Sequence, residues 1–276
     1  MSAASNQTAG EVAALLERDD LGGAVKAAGE RLRASPNRDD LRLALVDLLI
    51  LSGDLDRADK VAALGATIRP ANAVGITLLR GVIQGLMARR AWLSTGALPA
   101  FPNGPTTRDQ AAVRLQLALN EGDGEAARAA LAEIDAAPAG TDFEWNGEPV
   151  AGSLRDLDDR LPHAFEAVTS GGAYLWIDFE RVRGVEFAPV ARPRDLALRR
   201  ARIELRDGAA ADVFVPAIYP EGPGEADDAL RLGRRTDWAE APGGLALGRG
   251  QRSLLVGEES RTLLNASRIS FGGGDA

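Results

Sequence analysis

The residues best suited to chemistry crowd into one short stretch. Asp156, Asp158, Asp159 and Glu166 lie within eleven positions of one another, and the chain's single histidine, His163, stands among them. Paired carboxylates are the raw material of acid–base catalysis and of divalent-metal sites. A histidine beside them suggests a general base. The spacing, however, matches no calcium loop, and no Gly-x-Ser-x-Gly elbow supplies a nucleophile. Read as one helix over 153–168, the stretch needs no chemistry: Asp156 sits at the favourable N-terminal end of the dipole and the other acids face water. The alternative that this leaves open is a metal-dependent hydrolase using the 156–166 carboxylates.

Other motifs yield less. Gly222-Pro223-Gly224, Gly243-Gly244 and Gly248-Arg249-Gly250 lack the spacing of nucleotide-binding loops and read as turns. Cysteine is absent, which removes disulfides, thiolate ligands and thiol nucleophiles. No catalytic, cofactor-binding or metal-ligating residue is expected, and no cofactor.

The charge is acidic, -8 overall, and 30 of the 32 basic residues are arginine. An acidic chain without a basic tail argues against general binding of nucleic acid or anionic membrane. The local exception is 181–206, where Arg181, Arg183, Arg192, Arg194, Arg199, Arg200, Arg202 and Arg206 face only Glu186, Asp195 and Glu204. Such a cluster either pairs with acids elsewhere in the chain or docks an acidic protein surface. Trp176, Tyr219 and Trp238 are aromatic anchors for an interface or core residues. The candidate partner-contacting set is therefore Trp176, Arg181, Arg183, Arg192, Arg194, Asp195, Tyr219 and Trp238.

The elements that position these residues follow from a repeat. Asp20/Asp54, Leu21/Leu55, Ala24/Ala58, Lys26/Lys60, Ala28/Ala62 and Pro36/Pro70 all lie 34 apart. That is the period of tetratricopeptide-type helical hairpins, which stack into a solenoid with a concave docking surface. Helices are expected over 9–18, 21–34, 39–52, 55–68 and 72–93. Gly96, Pro99, Pro102, Gly104 and Pro105 interrupt the pattern. A degenerate repeat at 107–120 and 124–136 then places Ala126 and Pro138 two periods after Ala58 and Pro70. The segment 138–152 reads as loop, with a turn at Trp145-Asn146-Gly147.

Beyond 170 the period becomes two. Strands are expected at 173–178, 182–187, 200–206, 212–218, 252–256 and 262–271, with a turn at Asp207-Gly208. The fold class is α+β: N-terminal tetratricopeptide-like repeats over 1–137, then a mainly antiparallel α+β domain over 138–276. No apolar run approaches the ~20 residues of a bilayer span, and the N-terminus lacks signal-peptide character. The chain reads as soluble and cytoplasmic.

One set of motifs is distinctive in combination. It comprises Leu154-Arg155-Asp156-Leu157-Asp158-Asp159-Arg160-Leu161, Tyr174-Leu175-Trp176-Ile177-Asp178-Phe179-Glu180-Arg181, Pro193-Arg194-Asp195-Leu196, Phe214-Val215-Pro216-Ala217-Ile218-Tyr219-Pro220, Thr236-Asp237-Trp238 and Gly250-Gln251-Arg252-Ser253-Leu254-Leu255-Val256-Gly257. Together these resemble the ImpE/SciE (TagJ) family of type VI secretion accessory proteins, most strongly over 140–271. The resemblance implies a cytoplasmic, non-enzymatic adaptor with two partners, the small sheath subunit TssB and the sheath-recycling ATPase ClpV. A scaffold that binds no sheath helix is the alternative within that system.

Overall fold

Aspartates mark the start of each repeated second helix. In this computed structural model, which describes residues 3–136, 141–220 and 227–272, α1 (Ala3–Glu17) and α2 (Leu21–Ala34) form one hairpin. A second is made by α3 (Asp39–Leu51) and α4 (Leu55–Ile68). Asp20 caps α2 by accepting from Gly23 N, and Asp54 caps α4 by accepting from Arg57 N. Leu21/Leu55, Ala24/Ala58 and Ala28/Ala62 are buried at equivalent sites in one core. The 34-residue period is thus a structural repeat.

Pro70–Asn72 makes a short turn of helix before α5 (Ala73–Thr95). α6 (Thr107–Glu121) opens with a capping box between Thr106 and Asp109, and α7 (Gly124–Asp135) is capped by Asp123. Its equivalence to α4 is offset by one from the expected two periods. Ala127, four residues after its capping aspartate as Ala58 is after Asp54, is the buried alanine, whereas Ala126 is exposed. Pro138 lies outside the described residues, as do Gly222-Pro223-Gly224.

Together with Pro70–Asn72, α5 forms a 26-residue helical stretch that is long and apolar enough to cross a membrane by length and composition, which corrects the reading that nothing in the chain approaches a span. Here it is a packing helix. Arg80 binds Asp59 at 2.7 and 2.9 Å, and Ile83 and Trp92 are buried. A Cβ on Gly81 would lie 1.9 Å from Ser170 O, so only glycine permits this approach to the sheet.

The sheet has ten strands: β1 (Thr141–Trp145), β2 (Glu148–Asp156), β3 (Ala164–Val168), β4 (Tyr174–Asp178), β5 (Val182–Phe187), β6 (Leu198–Leu205), β7 (Ala210–Pro216), β10 (Ser253–Val256), β11 (Glu259–Thr262) and β12 (Arg268–Phe271). Their order is β11-β10-β2-β1-β12-β5-β6-β7-β3-β4, antiparallel throughout. Leu254 and Val256 near one end share a hydrophobic cluster with Phe165 and Ile177 near the other, so the sheet curls around its own core. A short helix, α8 (Asp228–Arg231), precedes a separate hairpin, β8 (Thr236–Ala241) and β9 (Leu245–Gly250).

Three expectations of secondary structure fail. The strand expected over 262–271 is broken by a helical turn at Leu263–Asn265, leaving β12 alone beyond it. The segment 153–168 is not a helix but the end of β2, a turn and β3, and 138–152 contains β1 and most of β2. The cause is burial. Every residue of β3 is buried, so alternation of apolar and polar residues, the signature of a half-exposed strand, is absent. The turn Trp145-Asn146-Gly147 does join β1 to β2, with Asn146 and Gly147 at positive φ (56° and 87°).

Candidate functional site

The carboxylates singled out by sequence converge where the helices meet the sheet, and each is bound to arginine. Glu166 on β3 receives Arg89 of α5 in a bidentate pair at 2.8 and 2.8 Å. Arg252, just before β10, reaches the other side of the same carboxylate and also stands 3.5 Å from Asp156. Asp158 binds Arg160 and accepts from Gly248 N at 2.8 Å. Tyr174 donates to Glu166, Trp176 Nε1 donates to Tyr174 at 2.7 Å, and Tyr219 donates to Asp156 at 2.8 Å. Asp159, nearer the surface, pairs with Arg155 and accepts from Ala246 N at 2.7 Å.

Burial dominates the electrostatics here. It pushes the Asp156 carboxyl up to about 6, against the opposing pull of Arg252. Burial would raise Glu166 too, but Arg89 and Arg252 together hold it well below the usual carboxylate range. The Tyr174 and Tyr219 phenols are raised by burial and by the adjacent carboxylates, so both remain donors. The network surrounds a void of ≈ 20 Å³, about one water molecule in size. No substrate fits there. Asp156, Asp158 and Glu166 thus neither face water nor cap a helix, as the helical reading required.

His163 lies in the turn before β3, buried, with Nε2 3.0 Å from Asp109 Oδ1 of α6. Asp178 of β4 completes a cluster of three possible metal ligands. Its oxygens are already engaged: Arg108 donates to both, at 2.7 and 3.1 Å, and Thr106 Oγ1 donates to one at 2.8 Å. Asp109 accepts from Thr106 N at 2.8 Å through its other oxygen. A cation here would have to displace Arg108, so the cluster reads as an ionic tie between α6 and the sheet.

The remaining candidates divide by location. Trp176 and Tyr219 are interior residues; Trp176 packs edge-on against Trp92 and Phe101. Arg192 and Arg194 turn inward to the buried Asp47 of α3, at 3.2 and 3.3 Å, and Asp195 accepts from Ala191 N and Arg192 N in the same loop. Arg181 donates to Pro102 O and Gly104 O, fastening the proline-rich loop that follows α5. Arg183, on the sheet surface, pairs with Glu204 at 3.4 Å. Trp238 on β8 is 43% exposed and leans on Tyr219.

Sequence reasoning missed a cleft of ≈ 620 Å³ beside the charged network. Its helical wall is Leu51 and Leu55 at the α3–α4 turn and Leu86 and Leu93 on α5; its sheet wall is Leu198, Pro216 and Ile218. Arg89, Arg90 and Arg231 supply its polar lining, and Leu93, Tyr219 and Pro220 border both the cleft and the small void. Its apolar walls and size match a recognition pocket.

The ImpE protein family model matches residues 147–270, which span the strands from β2 to β12 and the charged network apart from Arg89. Beyond that segment, the type VI secretion system accessory component TagJ of Pseudomonas aeruginosa is 30% identical over 270 residues, 95% of this chain and 91% of that protein. The chain belongs to the ImpE/TagJ family. Its fold is shared by the crystal structure of Vibrio parahaemolyticus protein VPA1032, with a TM-score of 0.87 and 23% identity, over 96% of this chain and 98% of the other. The helical repeats and the sheet thus recur together in that crystal structure, and its identity with TagJ makes this chain a type VI secretion accessory component by kinship.

Proposed function

We propose that this TagJ relative is a non-enzymatic adaptor of the type VI apparatus, working in the cytoplasm and holding a helical segment of a sheath component in the cleft between repeats and sheet. The observation that carries the proposal is the cleft itself. Solenoid repeats present a helical face for partner segments, and here the half-buried Leu86 and Leu93 line the cleft above the buried Leu51 and Leu55. An amphipathic helix lays its own apolar side into such a groove. The family resemblance points to the TssB-like small sheath subunit as that component, and through it to the ClpV ATPase that recycles sheaths. We read the division of labour as falling near 137/138: α7 ends at Asp135 and β1 begins at Thr141.

Catalysis is not part of this reading, because each acid of the 156–166 group is bound by arginine and the small void among them holds about one water. Affinity purification of the tagged chain from its native cells, followed by mass spectrometry, tests the proposal. Enrichment of the small sheath subunit supports it. Recovery of the chain without any sheath component contradicts it.

A further inference from the structure

The β8–β9 hairpin is held on every side but one. Its tip is pressed against the start of α7, where a Cβ on Gly124 would lie 2.4 Å from Gly243 N. At its base, Tyr219 N donates to Gly250 O at 2.7 Å. Along β9, alternate residues turn their backbone toward the protein body. Ala246 N donates to Asp159 Oδ2 at 2.7 Å, and Ala246 O accepts from Asp159 N at 3.0 Å. Gly248 N donates to Asp158 Oδ2 at 2.8 Å, and Gly248 O accepts from Arg160 at 3.0 Å. In an antiparallel strand the N–H and C=O of one residue leave on the same side, and the sides alternate. Leu245, Leu247 and Arg249 therefore bond to β8, through Ala241, Ala239 and Asp237. Thr236, Trp238 and Glu240 turn their backbone groups outward, and among the described residues no strand pairs with that edge.

Proline and bulges, two common defences of a free edge, are missing from β8. Three of the four tryptophans are 2% exposed; the fourth, Trp238, is 43% exposed in the middle of this strand. Glu240 shares its face, opposite Ala246, and there is the only ionised side chain of the hairpin. Asp237, on the other face, lies across from Arg249 and accepts from Trp238 N at 2.9 Å.

We infer that β8 binds an extended segment of a partner protein by strand addition, and that this segment sets an apolar residue against Trp238 and a lysine or arginine against Glu240. Main-chain bonds to Trp238 O and to Glu240 N and O supply affinity, and alternate side chains supply selectivity. Residues two apart share a face, and cross-strand neighbours stand about 5 Å apart. The apolar and basic residues of the partner are therefore also two apart. Tryptophan is enriched among the residues that dominate interfaces. The sign of the partner is set by Glu240, because Asp237 is balanced by Arg249. The net charge of -8 acts in the same direction and opposes a second copy of this chain as the occupant.

Two short synthetic strands are titrated into the full-length protein. Both alternate threonine with a facing residue; the facing residues are valine and lysine in one, valine and glutamate in the other. Acrylamide quenching of tryptophan fluorescence reads the contact, since Trp238 alone is open to the quencher. Amide hydrogen exchange by NMR reads the backbone. The lysine strand should bind saturably, at least tenfold more tightly than the glutamate strand, and shield Trp238. It should slow exchange at Glu240 N–H at least tenfold and leave Ala239 N–H, already bonded to β9, unchanged. The exposed substitution Glu240→Lys should reverse the preference. That alternation of protection is produced by strand addition and not by side-chain contact alone. No binding, equal affinities, or shielding of Trp238 without protection of Glu240 N–H overturns the inference, as does self-association that excludes the peptides. The probes contain no helix and no sheath component, so the result is independent of the function proposed above.

Discussion

Arg89 of α5 and Glu166 of β3 form a buried bidentate ion pair, 77 residues apart in sequence, at the junction of repeats and sheet. It is one of several such ties. Asp47 takes Arg192 and Arg194, Arg108 takes Asp178, Asp109 takes His163, and Asp228 accepts from the α2 N-terminus at Leu21 N and Gly22 N. Charge in this protein is spent largely on joining its own parts.

Breaking the junction should be costly. Glu166→Gln leaves Arg89 and Arg252 buried without their shared anion. The expected loss is about 3–5 kcal/mol, as for other buried pairs deprived of one partner. Chemical denaturation measures it. The exposed Glu204→Gln should stay within about 0.5 kcal/mol of the parent. Equal effects at the two sites would show that the network contributes nothing.

The repeat register makes a sharper prediction. Ala58→Leu and Ala127→Leu should each overpack a closed helix interface and cost about 1–3 kcal/mol. Ala126→Leu, one residue away on the exposed side, should be close to neutral. Thermal melts of the three variants decide whether the last repeat is offset by 69 positions, as the caps at Asp54 and Asp123 indicate, or by 68.

Asp156 supplies a pH signature. Its folded-state pKa of about 6 lies above the ordinary carboxylate value near 3.9. The folded protein therefore binds this proton more tightly than the unfolded chain does. Its contribution to stability declines as the pH rises through that window. Asp156→Asn cannot ionise, so its stability relative to the parent should improve by about 1–2 kcal/mol between pH 4.5 and 8. Glu166, whose shift has the opposite sign, is common to both proteins and cancels in the comparison. A difference that does not vary with pH would contradict the assignment.

The His163 cluster should not behave as a metal centre. Protein purified without chelator should hold far less than one equivalent of transition metal or calcium by elemental analysis. His163→Gln should retain partner binding while losing about 1–3 kcal/mol of stability through its tie to Asp109. One equivalent of metal that is lost in the variant would overturn this view.

Much of the scaffold was legible in the sequence because it obeys simple periods. Asp20/Asp54 and Ala24/Ala58 announced the hairpins, and the alternation from Arg200 to Arg206 announced β6. Asp207-Gly208 announced the turn into β7, with Gly208 at φ 87°. The segment 153–168 misled because Asp156, Asp158 and Glu166 look solvent-facing as letters. Their burial depends on Arg89 and Arg252, which arrive from distant parts of the chain. The same reason hid the cleft. Its walls come from the α3–α4 turn, α5 and the β6–β7 region, and no local pattern records their meeting. For Arg192 and Arg194 the letters left open pairing within the chain or docking of a partner, and only the fold brings Asp47 beneath them.

The central claim is that the cleft binds a sheath component, and direct titration tests it. The purified small sheath subunit is added by isothermal calorimetry to the full-length protein, to Leu93→Glu in the cleft wall, and to Leu117→Glu, an exposed leucine on α6 away from the cleft, with folding of each variant checked by circular dichroism. The account predicts saturable binding near the micromolar level, about -8 kcal/mol, weakened at least tenfold by Leu93→Glu and unchanged by Leu117→Glu. No saturable binding to the parent, or equal binding by Leu93→Glu, would contradict it.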